Sequence, residues 1–205
     1  HGIKVTTLNG SLLWEPWTIK KADGTPYKVF TPFFRKGCLL SDEPRKPLPT
    51  PNNLDFLYDN DKSLEINDLD LLPSIRWDIE MKPFWNIGED GANKRLSEFL
   101  DNGIENYKKG RNFPAKPFVS RISPHMHFGE ISPNQAWYAA KNKGNDASID
   151  HFLSELGWRE FSYTQLYFNH ELPKKNLQSK FDEFPWDDNL NNLSAWQRGQ
   201  TGIPM

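Results

Sequence analysis

Apolar residues fall into a helical rhythm mainly in the second half of the chain. Leu96, Phe99, Leu100, Gly103, Ile104 and Tyr107 stand at i, i+3, i+4, i+7, i+8 and i+11, the stripe of an amphipathic helix that begins near Gly91. Ser132-Pro133-Asn134-Gln135 opens another helix, with a capping box and proline at its first position. That helix carries Ala136, Trp137, Ala139 and Ala140 and stops before Gly144. A third is predicted from about Ala147 to Phe168, with Pro173 closing it, and a fourth around Leu190, Leu193 and Trp196. Gly199 to Gly202 then turns the chain.

The first ninety residues have a different pattern. Ile3 to Leu8 alternates apolar and polar side chains, which predicts a half-buried strand. Asn9-Gly10 turns the chain, and Ser11 to Trp14 is expected to return as a second short strand. Gly24-Thr25-Pro26 marks a further turn, and a short helix is expected from Thr31-Pro32. Four prolines (Pro44, Pro47, Pro49 and Pro51) make an extended linker. Asp55 to Asp90 holds ten acidic and three basic residues, a solvated connector with no sustained period.

Phe152 to Tyr163 carries the densest candidate chemistry. In a helix, Glu155, Trp158 and Arg159 lie at i, i+3 and i+4 and share one face. An acid, a broad π-surface and a cation on one patch are unusual for a purely buried helix. The plainer reading, favoured by spacing alone, is a core tryptophan beside a surface Glu–Arg pair worth ~0.2–0.5 kcal/mol. Gly157 interrupts this helix at about 1 kcal/mol relative to alanine, which implies close approach of another helix or of a ligand.

Composition narrows the classes. Net charge is −2, so the chain as a whole does not announce a nucleic-acid or membrane protein. The sign nevertheless reverses along it: Lys94 to Arg121 has seven basic and three acidic residues, interleaved with Tyr107, Phe113 and Phe118, a pattern suited to a phosphate-rich partner. Ser120, Arg121 and Ser123 add hydroxyls and forked donors that suit phosphate. Eight tryptophans need packing partners or flat ligands. The single Cys38 cannot form an internal disulfide, and neither a signal peptide nor a membrane-length apolar run is visible. A cytoplasmic protein without membrane attachment is expected, and the opening at His1 without an initiator methionine suggests a fragment. His125 and His127 are too close for a helical ligand pair, so no metal is expected.

Several segments together resemble the DNA photolyase and cryptochrome family. They are G-T-P-Y-K-V-F-T-P-F (24–33), N-Y-K-K-G-R-N-F-P (106–114), S-R-I-S-P-H-M-H-F-G-E-I-S-P (120–133), E-L-G-W-R-E-F (155–161), F-D-E-F-P-W (181–186) and A-W-Q-R-G-Q-T-G-I-P (195–204). They occur in family order across nearly the whole chain. The resemblance implies a mainly α fold: residues 1–42 as the tail of a Rossmann-like α/β antenna domain, 43–90 as the connector, and 91–205 as the first half of a helical FAD-binding domain.

The implied activity is light-driven repair of cyclobutane pyrimidine dimers in UV-damaged DNA, by one electron lent from reduced FAD to a flipped-out dimer. Residue by residue, Tyr107 and the loop Val119, Ser120, Arg121, Ile122 and Ser123 match cofactor-binding positions, as do Phe152 and Arg159; Val119 stands where many members carry threonine. Glu155 and Trp158 match the pair that grips the dimer, and Arg111 matches a DNA-backbone contact. E-x-x-W-R-E is most similar to class I cyclobutane-dimer enzymes. Relatives acting on the six-four photoproduct usually carry glutamine at the position of Glu155, and plant-type cryptochromes usually lose the tryptophan. A blue-light cryptochrome that binds FAD without repair is the alternative, and a helical DNA-binding module without cofactor a third. The longer parent would also hold an antenna chromophore, methenyltetrahydrofolate or a deazaflavin. No obligate protein partner is expected. The fragment by itself is expected to be inactive, unless two copies complete the pocket between them.

Overall fold

The computed structural model describes residues 2–55 and 64–203. It divides into two compact units, His1–Gln165 and Leu166–Met205. Among the described residues all regular structure is helical.

Neither expected strand forms. Ile3, Val5 and Leu8 are 78%, 78% and 91% exposed, so their alternation has no face to bury. The return segment does bury Leu13 and Trp14, but their N–H groups go to the Glu160 carboxylate at 2.9 and 3.2 Å rather than to a neighbouring strand. A side-chain acceptor has replaced the sheet ladder. The turn between them is as expected: Asn9 Oδ1 accepts from the N–H of Ser11 and of Leu12, each at 3.0 Å.

The helix expected at Thr31-Pro32 begins one residue earlier. A turn of α-helix, α1 (Phe30–Pro32), widens into a π-helical turn (Phe33–Gly37) and tightens into a 3₁₀ turn (Cys38–Leu40). That change of pitch brings Phe33, Phe34, Gly37 and Cys38 all to the interior. The proline-rich stretch that follows is extended, as expected, yet tied down at its start. The Tyr138 hydroxyl donates to the Pro44 carbonyl, Asn134 donates to the Arg45 carbonyl at 2.6 Å, and Lys141 pairs with Glu43 at 2.7 Å. The acidic connector is exposed with two 3₁₀ turns, Ile66–Leu69 and Ile79–Phe84; its part at 56–63 lies outside the described residues.

The single helix expected from Gly91 through Tyr107 is broken. α2 (Glu89–Asn102) stops at Gly103, a 3₁₀ turn spans Ile104–Asn106, and α3 (Tyr107–Gly110) resumes. A Cβ on Gly103 would lie 2.9 Å from the Phe99 ring, so only glycine allows that close return. Leu96, Phe99, Leu100, Ile104 and Tyr107 are nonetheless all buried. After α4 (Ser123–His127), α5 (Pro133–Lys143) starts on the predicted capping box. Gln135 N–H donates to Ser132 Oγ at 3.2 Å, and the Ser132 N–H donates to Gln135 Oε1 at 2.8 Å.

α6 (Ala147–Phe168) has the predicted span. Its inward face is Ile149, Phe152, Leu156, Gly157, Glu160 and Thr164. A Cβ on Gly157 would stand 2.4 Å from the Phe34 ring, so the glycine makes room for a protein aromatic and not for a ligand. Edge-on contacts extend this core from Phe34 to Trp137 (6.4 Å) and from Trp137 to Trp14 (5.4 Å). In the second unit, α7 (Leu190–Gln197) is capped by Asn189, whose Oδ1 accepts from Asn191 N–H at 2.9 Å. Leu190, Leu193 and Trp196 are on it as predicted but are exposed. Pro204, the end of the last quoted motif, lies outside the described residues.

Candidate functional site

Glu155, Trp158 and Arg159 all project from the outer side of α6, and each finds a different partner. The Glu155 carboxylate is ion-paired with Arg111, which α3 delivers from across the fold. Arg111 also lies over the Tyr107 ring, 5.5 Å from its centroid. Its Nη1 is 3.2 Å from His151 Nε2, and that nitrogen is 3.8 Å from Glu155 Oε1. Glu155 holds the Arg111 guanidinium still more firmly protonated than usual.

Trp158 stacks on Phe30 with ring centroids 3.8 Å apart and planes 11° from parallel. Phe30 continues the stack onto Phe34 at 5.6 Å and 10°, and Phe161 meets Trp158 edge-on at 5.8 Å. The indole is still 45% exposed. A large aromatic ring is therefore fixed from behind and partly open to solvent, a stacking platform already in place.

Arg159 turns the other way. It donates to the Ser11 carbonyl, approaches Glu160 Oε1 at 3.4 Å and lies over the Tyr163 ring at 4.9 Å. Glu160 is 2% exposed. Burial pushes its carboxyl up to about 7, against the opposing pull of the Trp14 and Leu13 N–H groups and of Arg159.

The remaining sequence-predicted residues divide into core and surface. Phe152 and Ile122 are each 2% exposed, and Tyr107 is buried. The Phe152 ring packs on Phe99 at 5.0 Å and on Tyr107 at 5.5 Å; burial raises the Tyr107 phenol above its ordinary range. Val119, Arg121 and Ser123 are exposed and Ser120 half-buried. Arg121 takes a left-handed backbone (φ 53°), which sets the bend of this loop. The loop is tied to α3 through Phe118, whose ring fills the space a Cβ on Gly110 would need, 2.4 Å away.

His151, Phe30 and Glu160 were not singled out from sequence. His151 had a signal, since it stands four residues before Glu155 on the same helical face. Glu160 had one too, as an acid on the inward stripe of α6. Phe30 had none, because its partner is 128 residues away. His125 is buried and pairs with Glu130 at 2.5 Å, and no metal-ligand cluster occurs among the described residues. No helix among the described residues is long and apolar enough to cross a membrane. An open cleft of about 790 Å³, lined by Lys46, Leu100, Tyr138 and Lys141 among others, shares no lining residue with the α6 patch.

Comparison with known proteins bears directly on this arrangement. Residues 1–52 match the family model described as DNA photolyase, and residues 152–205 match the FAD binding domain of DNA photolyase. The chain belongs to the DNA photolyase and cryptochrome family. It is 39% identical over its full length to the deoxyribodipyrimidine photo-lyase of Agrobacterium fabrum, of which it covers 43%. It is 27% identical, again over its full length, to cryptochrome-1 of Arabidopsis thaliana, of which it covers 32%. The crystal structure of a bacterial class III photolyase from Agrobacterium tumefaciens superposes with a TM-score of 0.84 at 39% identity, covering 93% of this chain and 40% of that one. The chain thus spans about two fifths of the length of the photolyases it matches. The sequence resemblance pointed to class I, whereas this solved relative is titled class III.

Proposed function

We propose that the chain is part of a light-driven enzyme that repairs cyclobutane pyrimidine dimers in DNA, and that the outer face of α6 grips the lesion. The observation that carries this reading is Trp158, a half-exposed indole stacked rigidly on Phe30. A dimer inside a duplex must be extruded at a cost of roughly a few kcal/mol. Trp158 recovers part of that by stacking, ~1–3 kcal/mol per base. Glu155, one turn away, accepts a hydrogen bond from a base N–H edge and so orients the dimer on the tryptophan. Arg111 takes a backbone phosphate, which fixes register without reading the lesion.

The family model for 152–205 supports FAD as the cofactor. Ser120, Arg121 and Ser123 fit its diphosphate. Among the described residues, no hydrogen bond or ion pair engages their side chains, and the Arg121 backbone opens the loop. Phe152, Tyr107 and Ile122 form the packed wall behind, while Val119 gives only apolar contact. Arg159 is committed to Ser11 and steadies the site from the side. When bound and reduced, FAD supplies the light-driven electron that opens the cyclobutane ring. The residues of this chain hold the dimer, orient it and keep water from it. In the longer protein, residues 1–42 would close an antenna domain, 43–90 connect it, and 91–205 begin the FAD domain.

The test is binding of dimer-containing and undamaged oligonucleotides to the flavin-loaded protein that carries this chain. Trp158→Ala should weaken dimer binding about tenfold or more, the size of one lost stack, with flavin content unchanged. Equal dimer affinity in the variant would remove the stacking role. Cryptochromes also match the chain over its full length, and equal affinity of the unaltered protein for dimer-containing and undamaged DNA would leave a photoreceptor that keeps flavin but ignores the dimer.

A further inference from the structure

We infer that His151 is a positioning residue of the lesion patch, the second partner for the Glu155 carboxylate once a DNA phosphate takes Arg111. The inference rests on the proposed roles of Glu155 and Arg111. Its observation is separate: a closed triangle of three polar side chains. Arg111 is ion-paired with Glu155, Arg111 Nη1 is 3.2 Å from His151 Nε2, and His151 Nε2 is 3.8 Å from Glu155 Oε1. The three side chains are 31%, 29% and 36% exposed for Arg111, Glu155 and His151, so DNA can reach all of them.

The chemistry of the donors decides what each does. A guanidinium only donates, so the 3.2 Å contact makes His151 Nε2 an acceptor. The ring proton is then on Nδ1 for as long as Arg111 stays. Other charged or titratable groups around the ring are Tyr107, 6.0 Å away between ring centroids, and Asp150, bound to Arg35 at 2.6 Å. Lys108 acts on Asp150 from α3. Among the described residues none of these hydrogen-bonds the imidazole, so Nε2 answers to Arg111 and Glu155.

When a phosphate oxygen draws Arg111 off, the Nε2 lone pair and a Glu155 oxygen are left facing each other, both acceptors. Moving the ring proton from Nδ1 to Nε2 resolves the conflict. The Nε2–H then donates to Glu155 Oε1, and a small ring rotation closes the 3.8 Å gap. His151 and Glu155 are an i, i+4 pair on α6, so the helix holds them in register throughout. Oε2 stays free for the base edge. Phosphate binding by Arg111 is thereby coupled to the seating of the lesion-reading carboxylate.

The experiment measures affinity for dimer-containing and undamaged oligonucleotides, using the flavin-loaded protein and its His151→Ala and His151→Gln variants. His151→Ala should weaken dimer binding about tenfold, one hydrogen bond to a charged group, with affinity for undamaged DNA unchanged. His151→Gln donates through its amide, so it should restore dimer affinity. Unchanged dimer affinity in His151→Ala overturns the inference. So does an equal loss on both DNAs, or His151→Gln behaving like His151→Ala. Absence of any dimer preference in the unaltered protein overturns the proposed function itself, which separates the two failures.

Discussion

Arg111 illustrates how a binding residue is kept ready. Before any ligand arrives it is held by Glu155, by His151 and by the face of Tyr107. Replacing it with alanine should weaken damaged and undamaged DNA alike and reduce the salt slope of binding by about one; a loss confined to damaged DNA, measured in a salt titration, would contradict a phosphate contact. Glu160 makes a second residue-scale prediction. Its folded-state pKa of about 7 lies above the ordinary 4.5. The stability it contributes is therefore complete below about pH 4.5 and is lost as pH rises through 7. Urea melts across that window should lose at most about 3 kcal/mol, and the loss should vanish in Glu160→Gln. A variant with an undiminished slope would place the titration elsewhere. The common face of Glu155, Trp158 and Arg159 could be read from i, i+3, i+4 spacing. Their partners could not, because Phe30 and Ser11 lie more than 120 residues away and only the packed fold brings them close.

At the scale of elements, local chemistry was the best guide. The α5 capping box and the full span of α6 follow from signals within a few residues of their ends. No strand forms at Ile3 to Leu8 because alternation is only a pattern, while a strand also needs a neighbour to take its N–H groups. At Leu13 and Trp14 that neighbour is Glu160. The break at Gly103 is legible only afterwards, since the periodicity of Leu96 to Tyr107 continues through it. A glycine inside a helix implies a close approach at Gly157, and Phe34 is what approaches. Gly157→Ala gains about 1 kcal/mol of helix propensity. It should still destabilise by a net ~1–2 kcal/mol because the added methyl overlaps a fully buried ring. Thermal melting checks this, and a higher melting temperature would mean that Phe34 moves aside without cost.

For the whole molecule, composition and compactness give different divisions. Charge and proline content change near residues 42 and 90, whereas the compact units meet at Gln165. The physical reason lies within the first unit. Glu160 holds residues 13 and 14, and Asn134 and Tyr138 hold residues 44 and 45, so the N-terminal segment packs with the helices that follow the connector. The family was legible because its motifs recur in order. The subclass was less so, since the residues that suggest class I also occur in a chain 39% identical to a protein titled class III.

The most direct test of the central claim is the absorbance near 260 nm of a dimer-containing oligonucleotide under blue light, with the flavin-loaded protein that carries this chain. Dimer formation removes the pyrimidine double bonds that absorb there, so repair restores them. The account predicts a steady rise in the light, none in the dark, and a greatly slowed rise in Trp158→Ala at sub-saturating DNA. Flavin retained without any light-dependent rise would contradict it and leave a photoreceptor in place of an enzyme.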